Sequence, residues 1–295
     1  MSRGLYIKRM IVALMLCLCT MSVYPQAKRA LLVGISDYPQ ESEGAWSPIH
    51  GANDVKLIYP TLKRQGFEIT KLCNKVAEAK KIREELAELI ESCKQNDTIY
   101  LHFSCHGQPV EDFDGDEGDG WDESIVPYDA QKHYREGFYV GENHITDDEL
   151  HRYLHDIRIK VGPHGFVYVV LDACHAGSSY RGENTDDKIY TRGTNKGFSS
   201  SNRLFAPRID KRGILKVEKT DAMSDVCILE ACRAYQVNCE ICEDDNYFGS
   251  LSYYVNATLT QTSLSESLEW TEEVRKSMES DIRLVRQNLV IETSK

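Results

Sequence analysis

Gly165-Phe166-Val167-Tyr168-Val169-Val170-Leu171-Asp172-Ala173-Cys174-His175-Ala176-Gly177 is the stretch on which the reading of the chain turns. Its first half is a run of β-branched and aromatic residues, the pattern of a strand buried on both faces of a parallel sheet. The run stops at Asp-Ala-Cys-His-Ala-Gly, where small residues let the backbone turn sharply. Cys174 is thereby expected at the carboxyl end of a central strand, the edge at which open α/β sheets place their ligands. A second stretch has the same build: Asp97-Thr98-Ile99-Tyr100-Leu101-His102-Phe103-Ser104-Cys105-His106-Gly107. If the two strands are parallel neighbours, His106 and Cys174 meet at one edge, and an imidazole beside a thiol yields a nucleophilic thiolate.

Working outward, the order of elements supports such a sheet. Lys28 to Ser36 reads as a strand. A helix follows from Asn53 or Asp54 to about Gln65, with Pro60 expected to kink it or stop it early. Phe67 to Leu72 is a strand, and Ala77 to Cys93 a helix with Ile82, Leu86, Leu89 and Ile90 on one face. The β-α-β-α-β order calls for a mainly parallel sheet with helices on both faces. Residues 107 to 145 read as an acidic, glycine-containing loop. Thr146 caps a short helix to Leu154, with Glu149 completing a capping box. Residues 178 to 222 are polar and too long for an ordinary turn. Val226 to Ala231 is a strand, Phe248 to Thr260 a helix, Leu264 to Arg286 one or two more, and Leu289 to Glu292 can close the sheet.

Length and charge narrow the function. A chain of 295 residues with a formal charge of −11 can hold one large α/β domain or two small ones and is a poor partner for nucleic acid or anionic membrane. A basic substrate suits it better. Arg3, Lys8 and Arg9 precede an apolar run from Met10 to Cys19, and small residues lead to Ala27. Residues 1–27 therefore read as a signal peptide, with a secreted or periplasmic destination and no membrane association after its removal. Of ten cysteines, Cys17 and Cys19 lie in that segment. Cys239 and Cys242 have redox or zinc spacing, but without a second pair they read as structural or free thiols.

Taken together, the two strand ends resemble the caspase-like cysteine peptidases, and among them the metacaspases, in the clan that also holds clostripain and gingipain. His102-Phe-Ser-Cys-His106-Gly107 is similar to the family's histidine motif and Asp172-Ala-Cys174-His-Ala-Gly177 to its nucleophile motif. Further matching blocks are Lys28 to Ser36, Gly51 to Val55, Gly120 to Asp129 and Leu229 to Gln236. The resemblance implies a caspase-like three-layer α/β/α sandwich over residues 28–295, with a large-subunit-like part 28–180, a processing loop 181–222 and a small-subunit-like part 223–295. It implies an endopeptidase with Cys174 as nucleophile, His106 as general base and acid, and the backbone N–H groups of Gly107 and Cys174 as the oxyanion site. His175, His102 and Cys105 take structural roles.

Specificity follows from the same comparison. Caspases that cut after aspartate carry glutamine two residues before the cysteine and arginine just after it; here Asp172 and His175 stand there. An acidic pocket repels a P1 carboxylate and pairs with arginine or lysine. Asp54 matches a second pocket acid and Ser104 a pocket serine, although Asp54 read alone is a helix cap. Protein or peptide substrates with basic residues are the expected partners. The dyad requires no cofactor. The resemblance implies calcium at Asp147 and Asp148, but Arg181 replaces a further calcium-binding aspartate. Asp112 to Glu123 nearly spells an EF-hand, yet Glu117 stands where the loop wants glycine. The alternative function is a catalytically silent caspase-like fold that binds a partner. The long loop carries the basic residues the enzyme itself prefers, and Arg192 and Arg212, each followed by glycine, are the expected self-cleavage sites.

Overall fold

The computed structural model describes residues 26–40, 45–112, 115, 117–174, 190–194, 196–201, 203, 205, 206, 209 and 211–295. The expected signal peptide up to residue 25, Asp114 and Asp116 of the acidic stretch, His175, Arg181 and the start of the expected processing loop lie outside them. Among the described residues no helix is long and apolar enough to cross a membrane.

A seven-stranded sheet forms the middle layer. In chain order its strands are β1 (Lys28–Gly34), β2 (Glu68–Cys73), β3 (Thr98–Ser104), β7 (Phe166–Asp172), β8 (Ile214–Lys216), β9 (Asp225–Glu230) and β12 (Val290–Thr293). Across the sheet they run β2-β1-β3-β7-β9-β12-β8. Every pairing from β2 to β9 is parallel, and β12 runs antiparallel to β9. The apolar runs of β3 and β7 lie at the centre because they bury both faces. Leu31, Leu101 and Val169 point into one core, and Leu32, Tyr100 and Val170 into the other.

Helices cover both faces, each through an apolar stripe at helical spacing. On one side lie α2 (Ala79–Ser92), through Ile82, Leu86 and Leu89, and α3 (Asp147–Val161), through Leu150, Leu154 and Ile157. On the other lie α1 (Gly51–Arg64), α4 (Ser250–Leu259) and α5 (Glu269–Ser280), which contribute Ile58, Val255 and Val274. The result is the expected three-layer α/β/α sandwich.

Several boundaries differ from the sequence reading for identifiable reasons. Pro60 neither stops nor shortens α1, which continues to Arg64. The bond lost at its missing N–H is outweighed by the burial of Val55, Ile58 and Leu62 along the same face. Thr146 caps α3 by accepting the Glu149 N–H at 3.2 Å, but the Glu149 carboxylate pairs with Arg83 rather than completing a box, and the helix runs on to Val161. Residues 107–145 are not one loop. They hold β4 (His106–Glu111), β5 (Trp121–Val126) and β6 (Ile145–Thr146), a small antiparallel sheet. The stretch 181–222 likewise contributes β8 to the central sheet. A hairpin of β10 (Glu240–Glu243) and β11 (Asn246–Gly249) precedes α4.

Candidate active site

Strand register brings the two motifs together. Ser104 at the end of β3 is the register partner of Asp172 at the end of β7, so His106 and Cys174 each lie two residues beyond a paired position. Both side chains are buried, each residue 1% exposed.

The His106 ring is held by groups from the 37–51 loop. Its backbone N–H donates to the Tyr38 hydroxyl at 3.1 Å, and its ring stacks on Trp46 at 4.8 Å between centroids. Nε2 lies 2.8 Å from the Ser47 carbonyl oxygen. A carbonyl only accepts, so Nε2 carries the ring proton and Nδ1 keeps its lone pair. Nδ1 is buried with no hydrogen-bond partner. Burial pushes the imidazole down to about 4, against the opposing pull of the Ser47 bond, with help from the Lys132 and Arg192 charges. The ring is thus neutral at pH 7 and offers one bare basic nitrogen. Cys174 donates its thiol proton to the Gln236 carbonyl at 2.9 Å, and the Cys232 thiol approaches the Cys174 sulfur at 3.4 Å.

The largest fully buried side chain is that of Arg192. It fills the pocket formed by the expected acids, and each of its five guanidinium N–H groups has an acceptor. Nη2 donates to Asp54 Oδ2 at 2.8 Å and to Glu240 Oε1 at 2.8 Å, and Nε to the same Glu240 oxygen at 3.0 Å. Nη1 donates to Ser104 Oγ at 2.6 Å and to the Asp172 carbonyl at 3.2 Å. The Asp172 carboxylate stands off at 3.5 Å. It is occupied instead by the Asn238 amide and by the backbone N–H and hydroxyl of Ser252, each at 2.7 Å. Burial acts to lower the Arg192 pKa, but Asp54, Asp172 and Glu240 reverse this and hold it raised. Burial pushes Asp54 up to about 6 despite the guanidinium beside it.

The backbone of Arg192 is as well placed as its side chain. Its carbonyl oxygen accepts from the Cys174 N–H at 2.8 Å and the Gly107 N–H at 3.3 Å, the two amides expected to hold an oxyanion. Gly193 follows in a bridge with Gly107. A Cβ built on Gly193 would lie 2.1 Å from the Cys174 carbonyl oxygen and 3.1 Å from Cys174 Cβ, so the Arg192–Gly193 peptide passes directly against Cys174. Arg212, the other expected cleavage site, is exposed just before β8.

The structure adds residues that sequence reasoning missed. Glu240, from β10, is a principal guanidinium ligand. Its carboxylate also receives the His50 backbone N–H at 2.7 Å and the His50 ring at 2.5 Å. Gly249 walls the pocket, for a Cβ there would lie 2.5 Å from Arg192 Nη1, and its N–H donates to the Asp54 carboxylate at 3.0 Å. The one available signal was the spacing of Glu240 between Cys239 and Cys242, which drew attention to the thiols. Both of those are unbridged. His102 is a buried core residue between Tyr100 and Ser252, and Cys105 belongs to the core. Asp54 lies inside α1, whose N-cap is His50, so it is not a cap.

The two residues expected to hold calcium, Asp147 and Asp148, stand in the first turn of α3. Asp147 has a buried oxygen without a partner, and burial together with Asp148 pushes it up to about 7. Among the described residues, however, no three His, Cys, Asp or Glu side chains gather as a metal site.

The caspase domain (peptidase C14) matches residues 27–291 of the chain. Among characterised proteins, the chain is 25% identical over 273 residues to Metacaspase-1 of Meyerozyma guilliermondii, a match covering 79% of this chain and 62% of that protein. It is 32% identical over 163 residues to Metacaspase-1A of Neurospora crassa, covering 51% and 32%. The chain thus spans less than two thirds of the length of these relatives. A crystallised protein from Geobacter sulfurreducens shares the fold, with a TM-score of 0.62 over 91% of this chain and 93% of that one at 18% identity.

Proposed function

The chain belongs to the caspase domain family, and from that premise we propose that it is a cysteine endopeptidase that cuts after basic residues and cuts itself after Arg192. The observation that carries this reading is Arg192 itself. Its side chain fills the acidic pocket while its carbonyl receives the N–H groups of Gly107 and Cys174. A passive linker has no reason to bury an arginine among three carboxylates, because desolvating that charge is costly unless every donor is matched.

In the proposed reaction His106 Nδ1 takes the Cys174 proton, and the thiolate attacks the Arg192 carbonyl carbon. The developing oxyanion stays where the carbonyl oxygen already lies, on the Gly107 and Cys174 amides. His106 returns the proton to the Gly193 nitrogen as the peptide bond breaks. Water then hydrolyses the thioester, with His106 again as base. The Tyr38, Trp46 and Ser47 contacts support His106 by fixing which ring nitrogen is free. Export through residues 1–27 is proposed on their basic-apolar-small pattern.

Purified full-length protein, Cys174→Ala and His106→Ala should be followed by gel and intact mass. The parent should give two fragments joined at Arg192–Gly193, and both variants should stay whole while keeping the parent's circular dichroism. Equal cutting in the variants would refute the reading. Calcium at Asp147 and Asp148 is proposed on the family resemblance, and parallel incubations with calcium and with chelator test it.

A further inference from the structure

The five-donor match in the pocket distinguishes arginine from lysine, and the residue that makes the distinction is Glu240. Its Oε1 lies 3.0 Å from Nε and 2.8 Å from Nη2 of Arg192, gripping the guanidinium along its Nε edge rather than at its tip. A lysine of the same backbone position puts a methylene where arginine has Nε and its ammonium where arginine has Cζ. The side-on oxygen of Glu240 then faces a CH₂ group. The compact ammonium also falls short of the acceptors that Nη1 and Nη2 reach, Ser104 Oγ at 2.6 Å and Asp54 Oδ2 at 2.8 Å.

Glu240 cannot swing away to relieve this mismatch. Its side chain is 0% exposed, and both oxygens are already engaged by His50, the backbone N–H on Oε1 and the ring on Oε2. The His50 ring is itself packed between Tyr190 and Tyr247, at 4.7 and 5.0 Å. The carboxylate is therefore preorganised from behind, and its Oε1 loses two charge-assisted hydrogen bonds when lysine enters, keeping only the His50 N–H. Gly249 opposes it on the other wall, leaving room for Nη1, an atom lysine lacks.

We infer that Glu240, oriented by His50, is the residue that sets a strong preference for arginine over lysine at P1; this rests on the peptidase reading above. The test uses two fluorogenic peptides that differ only in P1 Arg or Lys. They are assayed with the full chain and with Arg192→Ala, which vacates the pocket. The arginyl peptide should have a kcat/KM about tenfold to a hundredfold higher, the size of the charge-assisted hydrogen bonds that lysine cannot make. Glu240→Gln should lower the arginyl rate much more than the lysyl rate, collapsing the ratio. Gly249→Ala, which crowds Nη1, should reduce the ratio from the opposite wall. Cys174-dependent cleavage with equal Arg and Lys rates in the parent overturns the inference alone, even if Glu240→Gln fails to fold. Absence of cleavage of either peptide in both proteins overturns the peptidase reading and the inference with it.

Discussion

Replacing Arg192 by methionine in a Cys174→Ala background keeps most of the side-chain length, removes the charge, and prevents self-cutting from obscuring the result. At pH 8 the change strips Asp54 and Glu240 of a cation held at 2.8 Å from each. Removing one partner of such a buried set costs about 3–5 kcal/mol. The loss depends on pH in a direction that can be worked out. Asp54 sits at about 6 in the fold against an ordinary 3.8, so between those values the native state binds more protons than the unfolded chain. Stability then falls as pH rises through that window. The guanidinium pulls Asp54 down, so without it the carboxyl rises further and the fall extends towards neutrality. Urea unfolding at pH 5, 6, 7 and 8 should show a difference between variant and background that is smaller at pH 5, where Asp54 is protonated and only Glu240 is left uncompensated, and complete at pH 8. A difference under about 1 kcal/mol at every pH, as expected for an exposed side chain, would refute the buried-plug account of Arg192.

Two further outcomes follow from close approaches and buried acids. Gly193→Val cannot keep the backbone against Cys174, where even a Cβ would meet the carbonyl oxygen at 2.1 Å; self-cutting on gels should slow about a hundredfold while a separate arginyl peptide is still turned over. Burial, with Glu292 and Asp147 adding repulsion, pushes Glu230 up to about 8, so the fold loses stability as pH climbs from the ordinary carboxyl range towards 8. Glu230→Gln should raise Tm at pH 8 by about 2–4 °C and leave it unchanged near pH 5; a gain that is the same at both pH values would count against the assignment.

The parts of the site legible in the sequence were those carried by buried parallel strands. Continuous apolar runs ending in His106-Gly107 and Cys174-His175 fix both the strands and the edge they share, and register then places Ser104 beside Asp172. Glu240 and Gly249 were not legible, because they come from a short hairpin whose position over the pocket is set by tertiary packing. Tyr38, Trp46 and Ser47 were hidden for the same reason, in a loop that reads only as turn residues. The β4–β5 hairpin was mistaken for loop because its acidic turn masks two strands of six residues each. Arg192 was legible as a bond the enzyme could cut. Its burial was not, since nothing in a polar segment says that one of its arginines makes five buried hydrogen bonds.

The position of Arg192 in the chain has a kinetic consequence. Cutting the Arg192–Gly193 bond does not release the arginine, which stays joined to Cys174 through residues 175–191. A tether of that length keeps its end near the pocket at an effective concentration on the order of millimolar. After the proposed cut the protein would be its own competitive inhibitor: the new Arg192 carboxylate could return to the same two amides and the same three acids. External substrates would then compete with a leashed product, and the apparent KM would be raised in proportion. A second cut inside the leash, at Arg181 or Lys188, would convert this into free product that diffuses away, so the number of cuts, and not the first cut alone, sets how open the enzyme is.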